Sequence, residues 1–282
     1  MAAEQTHRIL MCPPDYFSVD YAINPWMAGN EGTLDLSLAK SQWQQFHDEL
    51  ATVADIELMQ PHPDLPDLVF TANAGFICGN TVVPSHFMPH ERRPEEPYIK
   101  QWFADRGYDL KVLPDDIGFE GAGDCLIDRK GPWLWTGYGF RTELPAHPYL
   151  DGWFDYEVVS IRLTDPRFYH IDTCFCPLSG GFLLFYPDAF DADSVAAIEQ
   201  RVAADRRIPV DAEAAANFSC NAVNVGQHIF AHRFSTSLKK RLNDLGFQLH
   251  ETPLTEFLKS GGSAKCLTLK MSEPEMSEPE TL

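Results

Sequence analysis

The sequence predicts an α/β fold assembled from five copies of one module. Two observations carry this. A two-residue signature recurs at near-constant spacing, and a helix-period segment followed by a short strand-like one fills the intervals. The signature pairs are Phe70-Thr71, Phe119-Glu120, Tyr169-His170, Phe218-Ser219 and Lys265-Cys266, separated by 49, 50, 49 and 47 residues. Each pair opens a similar apolar stretch: FTANAGFICGNTVV, FEGAGDCLID, YHIDTCFCPL, FSCNAVNV and KCLTLKM. In three of the copies Asn73, Asp172 and Asn221 stand two residues beyond the pair.

In chain order, helix spacing covers 41–54, where Trp43, Phe46, Leu50 and Val53 recur at three- and four-residue steps, then 95–106, 191–204 and 235–245. Strand candidates follow at 56–59, 109–113, 207–210 and 246–250. The middle module is less regular, with a helix near 148–154 and a strand at 156–161. Gly, Pro and Asp clusters punctuate the junctions. The 282 residues are read as one domain over 1–271 followed by a tail over 272–282. The pentapeptide MSEPE occurs twice at this end, and its acidity and prolines predict disorder.

Composition narrows the function classes. With 44% hydrophobic and 12% aromatic residues, the chain has material for an extensive core, which excludes a disordered or low-complexity protein. Lys and Arg number 22 against 41 Asp and Glu, a formal charge of −19. Such a surface repels phosphate backbones and anionic bilayers, so neither nucleic acid nor membrane is an expected partner. It favours a small cationic substrate, with further copies of the same chain as the other expected partner. No apolar run reaches the roughly 20 residues of a membrane span, and the N-terminus carries no export signal. A cytoplasmic location follows, where the seven cysteines are reduced thiols. Cys174 and Cys176 form a lone Cys-x-Cys pair without a partner motif for zinc.

Modules that close a ring would carry Thr71, Glu120, His170, Ser219 and Cys266 to one end of a central axis. A thiol, an imidazole and a carboxylate meeting there are a nucleophile, an acid/base and a charge partner.

At these residues the chain resembles the guanidine-modifying, or pentein, superfamily. FEGAGDCLID, FYHIDTCFCPL, NFSCNAVNV and GGSAKCLTLK carry the likeness over 9–271. It implies a five-bladed, pseudo-symmetric α/β propeller (the pentein fold). The stretches MCPPDYFSVDYAINPWM, DLVFTANAG and ETPLTEFLKSGGSAKCLTLK are similar to the arginine dihydrolase subgroup, which includes N-terminal domains fused to ornithine cyclodeaminase-like domains. No such second domain follows here, so the fused reaction is not expected.

The resemblance implies a covalent mechanism on arginine that needs no cofactor and no metal. Cys266 attacks the guanidino carbon, His170 protonates departing ammonia and then activates water, and Glu120 orients His170. Glu120 and Asp172 hold the guanidino nitrogens. Asn73 matches a position that is Asp in deiminases, and a neutral amide there suits a ureido group, so that citrulline is attacked a second time. Asn24, Arg92 and Arg141 match substrate contacts, with Arg93 a further candidate for the α-carboxylate. Gly261, Gly262 and Ser263 read as a flexible gate or a tight turn, with Ser263 facing substrate. The other cysteines are structural. Three readings stand: a dihydrolase; a one-step deiminase, dimethylargininase or amidinotransferase; and a non-catalytic ribosome-binding protein of the same shape, which the Cys-His-Glu set and the acidic charge oppose.

Overall fold

The computed structural model describes residues 7–272. The N-terminal part supplies β1 (Arg8–Met11), α1 (Leu36–Leu50) and β2 (Asp55–Leu58). The next module holds β3 (Gly75–Cys78), β4 (Thr81–Pro84), α2 (Glu95–Ala104) and β5 (Asp109–Leu110). It is followed by β6 (Cys125–Ile127), β7 (Trp133–Tyr138), α3 (His147–Trp153) and β8 (Glu157–Arg162). Then come β9 (Phe175–Leu178), β10 (Phe182–Phe185), α4 (Ala192–Arg201), β11 (Arg207–Pro209) and the short α5 (Ala212–Ala216). The chain ends with β12 (Val223–Val225), β13 (His228–Ala231), α6 (Thr236–Asp244), β14 (Gln248–Glu251), α7 (Thr255–Leu258) and β15 (Leu269–Ser272).

These strands form five three-stranded sheets of one pattern. An inner strand pairs antiparallel with a middle strand, and a helix carries the chain over to a third strand parallel to the middle one. After each of the first four signature pairs the chain forms a hairpin of two strands, while the fifth leads into β15 alone. In the first, Gly79 at φ +59 makes the two-residue turn between β3 and β4, which an L side chain would adopt only with strain.

The helices begin where their sequences provide caps. Asp35, Asp191 and Ser235 accept from the backbone N–H three residues on, at 3.0, 2.9 and 3.3 Å. The Asp35 cap explains why α1 starts before the expected residue 41. Ala39, Trp43, Phe46 and Leu50 of α1 face the core, as their spacing requires. The strand expected over 109–113 pairs only through Leu110.

One sheet is made from both ends of the chain. β15 pairs antiparallel with β1, Ile9 opposite Lys270, and β1 pairs in parallel with β2. This clasp closes the propeller, leaving only short strand edges exposed. Thr71 fastens it, because its hydroxyl lies 2.9 Å from the Leu10 carbonyl and 3.0 Å from that of Leu267. Ser272 belongs to β15, so the last strand runs one residue past the expected boundary; the rest of the expected tail, 273–282, lies outside the described residues. Among the described residues, no helix is long and apolar enough to cross a membrane.

Replacing Thr71 by Val keeps the shape and removes the donor shared by two buried carbonyls. It is expected to cost about 1–3 kcal/mol, read as a lower urea midpoint with an unchanged slope.

Candidate active site

The signature pairs sit just ahead of the inner strands, where the chain makes tight turns. Three are 3-10 turns, Thr71–Ala74, Gly121–Gly123 and Ile171–Thr173. The first two turns pack against each other, as do the second and third. Glycine is required in the second. Gly121 has φ +61, and a Cβ there would lie 2.8 Å from the Gly75 backbone. A Cβ on Gly123 would lie 2.5 Å from the Asn73 amide nitrogen. That close approach lets the Asn73 amide donate to the Glu120 carbonyl at 3.0 Å.

The fourth and fifth turns are joined by one side chain. Asn221 is fully buried, and its Oδ1 accepts from the N–H groups of Ser263, Lys265 and Cys266 at 3.1, 3.1 and 3.3 Å. Its Nδ2 donates to the Asp172 carbonyl at 2.9 Å and to Cys266 Sγ at 3.1 Å. Cys266 is thereby set against Asp172, whose Oδ2 lies 3.6 Å from the sulfur. Ahead of Asn221, buried Phe218 adopts φ +55, a left-handed conformation unusual for a bulky residue, and its ring packs 4.8 Å from Trp26.

A second cluster surrounds Glu120. His170 Nε2 lies 2.7 Å from Glu120 Oε2, and Arg141 Nη1 donates to the same oxygen at 3.0 Å. The Met88 N–H reaches Oε1 at 3.2 Å. A third cluster holds Arg92, paired through Nε and Nη2 with Glu95, both at 2.8 Å, while its Nη1 donates to Asn73 Oδ1 at 2.9 Å. Tyr21 donates to Asp67 at 2.6 Å. These groups meet at a cavity of about 300 Å³ whose wall includes Asn24, Asp67, Asn73, Arg92, Arg141 and Cys266.

The two carboxylates deepest in the site titrate apart. Burial pushes Glu120 upward, but Arg141 and the His170 hydrogen bond outweigh it and hold the acid at about 2. Burial dominates at Asp172 and lifts it to about 6 despite Lys265 and His170. The Cys266 thiol is pushed far up, by burial first and then by Asp172, which favours protonated sulfur.

The model of the eukaryotic N,N-dimethylarginine dimethylhydrolase family matches residues 24–272. A dimethylarginine dimethylaminohydrolase of Mycobacterium tuberculosis is 37% identical, over 95% of this chain and 86% of its own length. The chain belongs to the dimethylarginine dimethylaminohydrolase family. It is also 55% identical, over 95% of its length, to the bifunctional arginine dihydrolase/ornithine cyclodeaminase of Synechocystis, and spans 38% of that protein. The crystal structure of the N-terminal domain of the cyanobacterial arginine dihydrolase ArgZ, a cysteine-to-serine mutant bound to its substrate, superposes with a TM-score of 0.94 at 55% identity. That match covers 95% of this chain and 98% of the solved one, and the five-bladed α/β propeller is the fold of both.

Of the residues singled out from the sequence, this dimethylarginine dimethylaminohydrolase-family chain places Asn24, Asn73, Arg92, Arg141 and Cys266 on the cavity wall. Glu120, His170 and Asp172 lie buried beside them. Ser263 is fully buried and its hydroxyl has no hydrogen-bond partner, while Ser260 reaches the wall. Arg93 points to the Phe87 carbonyl at 3.1 Å instead. The glycine pair is a hydrogen-bonded turn, Gly261 N–H to Leu258 O at 2.9 Å and Gly262 N–H to Phe257 O at 3.3 Å. Glu120, expected to hold guanidino nitrogens and to orient His170, is engaged by Arg141 as well as His170, so a guanidinium reaching it would replace Arg141.

Sequence reasoning missed Asp67, Glu95 and the part played by Asn221. Asn221 was detectable, since it occupies the same module position as Asn73 and Asp172. Asp67 stands three residues ahead of Phe70, as Asp116 does ahead of Phe119, but only Asp67 lines the cavity. Replacing Glu95 by Ala strands the Arg92 charge in the interior. A loss of about 3–5 kcal/mol is expected by urea denaturation.

Proposed function

We propose that this chain hydrolyses L-arginine in two rounds to ornithine, ammonia and carbon dioxide. The observation that carries the reading is a thiol 3.6 Å from a buried carboxylate, at a cavity where the neighbouring amide is Asn73. The 55% identity to bifunctional arginine dihydrolases supports the same substrate.

The substrate guanidinium docks on Asp172, beside sulfur. Its charge offsets the burial and the anion that keep Cys266 protonated, so thiolate forms as arginine binds. Arg141 turns from Glu120 to the substrate carboxylate, joined by the remaining Nη1 hydrogen of Arg92. Asp67 takes the α-ammonium, and Asn24 and Ser263 complete the contacts. Sulfur adds to the guanidino carbon and His170, oriented by Glu120, gives the leaving ammonia its proton. Water activated by His170 then displaces sulfur, leaving citrulline.

In the second round sulfur attacks the ureido carbon and another ammonia leaves. Hydrolysis frees carbon dioxide and ornithine, so each arginine consumes two waters. Asn73 offers that neutral group both a donor and an acceptor. All seven cysteines are free, six of them buried, which supports a reducing, cytoplasmic compartment.

A second reading, dimethylarginine hydrolysis, is favoured by the match along 86% of the Mycobacterium tuberculosis protein. Products separate the two. Purified protein given arginine should release two ammonia per ornithine, and Cys266→Ser should release none while keeping its circular dichroism. One ammonia per citrulline, or turnover of dimethylarginine alone, overturns the dihydrolase reading.

Asp172 must be ionised to hold the cation, so kcat/KM should fall about tenfold per pH unit below pH 6. Lys265 favours the ionised form, so Lys265→Gln should move that acid limb to higher pH.

A further inference from the structure

The sulfur of Cys266 accepts a hydrogen bond as well as donating one. The thiol donates toward Asp172, whose Oδ2 and Oδ1 lie at 3.6 and 3.8 Å, and Asn221 Nδ2 donates to the sulfur at 3.1 Å.

The orientation of that amide is fixed by its other end. The N–H groups of Ser263, Lys265 and Cys266 converge on Asn221 Oδ1 at 3.1, 3.1 and 3.3 Å. An inverted amide would set its NH2 group against three donors, so the oxygen faces the turn and the nitrogen faces inward. Of the two hydrogens on Nδ2, one goes to the Asp172 carbonyl at 2.9 Å and the other to sulfur.

Bracing the turn needs only the oxygen. The bond to sulfur is additional, and its strength depends on the charge it meets. To a thiolate the bond is charge-assisted and about twice as strong as a neutral one. The surroundings make that difference matter. Burial and the neighbouring Asp172 push the Cys266 thiol up, and the Asn221 hydrogen bond is among the influences that draw it down.

We propose that Asn221 is a catalytic residue whose Nδ2–H stabilises the negative charge that passes through the Cys266 sulfur. The proposal rests on the arginine reading of this site. On that reading the charge passes through sulfur twice in each round. When sulfur attacks, the S–C bond forms, a C–N bond breaks, and the thiol proton leaves with ammonia. When water attacks, it gives a proton to His170, the C–S bond breaks, and the bonding pair stays on sulfur. Nucleophile and leaving group are the same atom, so one donor fixed in advance favours both steps.

Two substitutions separate the donor from the brace. Asn221→Asp keeps the volume and an oxygen to hold the turn, but has no N–H to give. Asn221→Ser is uncharged, and its hydroxyl stops a bond short of the amide nitrogen. Both are checked for fold by circular dichroism. With arginine, kcat should fall about 10- to 100-fold in each, while KM rises no more than about threefold. Iodoacetamide labelling of Cys266 without substrate at alkaline pH, followed by mass on its own peptide, should slow at least about tenfold in each, although Asn221→Ser opens the site. Undiminished kcat in both folded variants overturns the proposal. So does a loss confined to Asn221→Asp, which is then the effect of an added charge. A wild-type Cys266 that labels no faster than the variants also overturns it. Should the wild type form no ornithine from arginine, the dihydrolase reading fails, and the labelling still decides the part played by Asn221.

Discussion

The side chain of Asn221 is the joint on which the site depends. It makes five hydrogen bonds in the interior, two as donor and three as acceptor. Three of its partners are the turn amides of Ser263, Lys265 and Cys266, and the others are the Cys266 sulfur and the carbonyl of Asp172. Thiol and carboxylate come from modules 94 residues apart in sequence, yet one amide sets their separation. An apolar residue of similar volume would leave those amides buried without acceptors, a penalty no packing gain offsets.

Around this joint the interior carries more charge than stability alone would retain. Glu95, Glu120, Asp124 and Asp172 are buried, as are Arg92, Arg141 and Lys265. Buried ion pairs are on average no better than well-packed apolar residues, so such a concentration argues for chemistry. The environments also differ. Glu120 lies against a guanidinium and an imidazole and is held ionised, while Asp172 meets a thiol and is lifted by burial to about 6. Two carboxylates of one site, pushed apart in this way, can take different tasks: a fixed charge that holds the imidazole, and an anion whose charge matters most when a cation arrives.

Much of this was legible before any coordinates. The spacing of Glu120, His170 and Cys266 exposed a five-fold period, and the helix spacing over 191–204 and 235–245 placed two helix starts to within a residue. Family resemblance supplied Asn24, Arg92 and Arg141, and the structure puts all three on the cavity wall. Less legible were the hairpins, since an apolar run does not say where it reverses. Arg141 read as a substrate ligand, and nothing in its sequence context signalled that it pairs with Glu120.

The chain by itself determined the repeat, the residue types at equivalent module positions and the helix caps. All of these depend on neighbours within about four residues or on a fixed period, and so they leave a mark in linear order. Tertiary structure alone decided that β15 and β1 share a sheet, that Asn221 bridges three modules, and that Asp67 and Glu95 join the site. Those contacts arise only once the ring has closed, because curvature, not sequence distance, chooses which side chains meet at the axis.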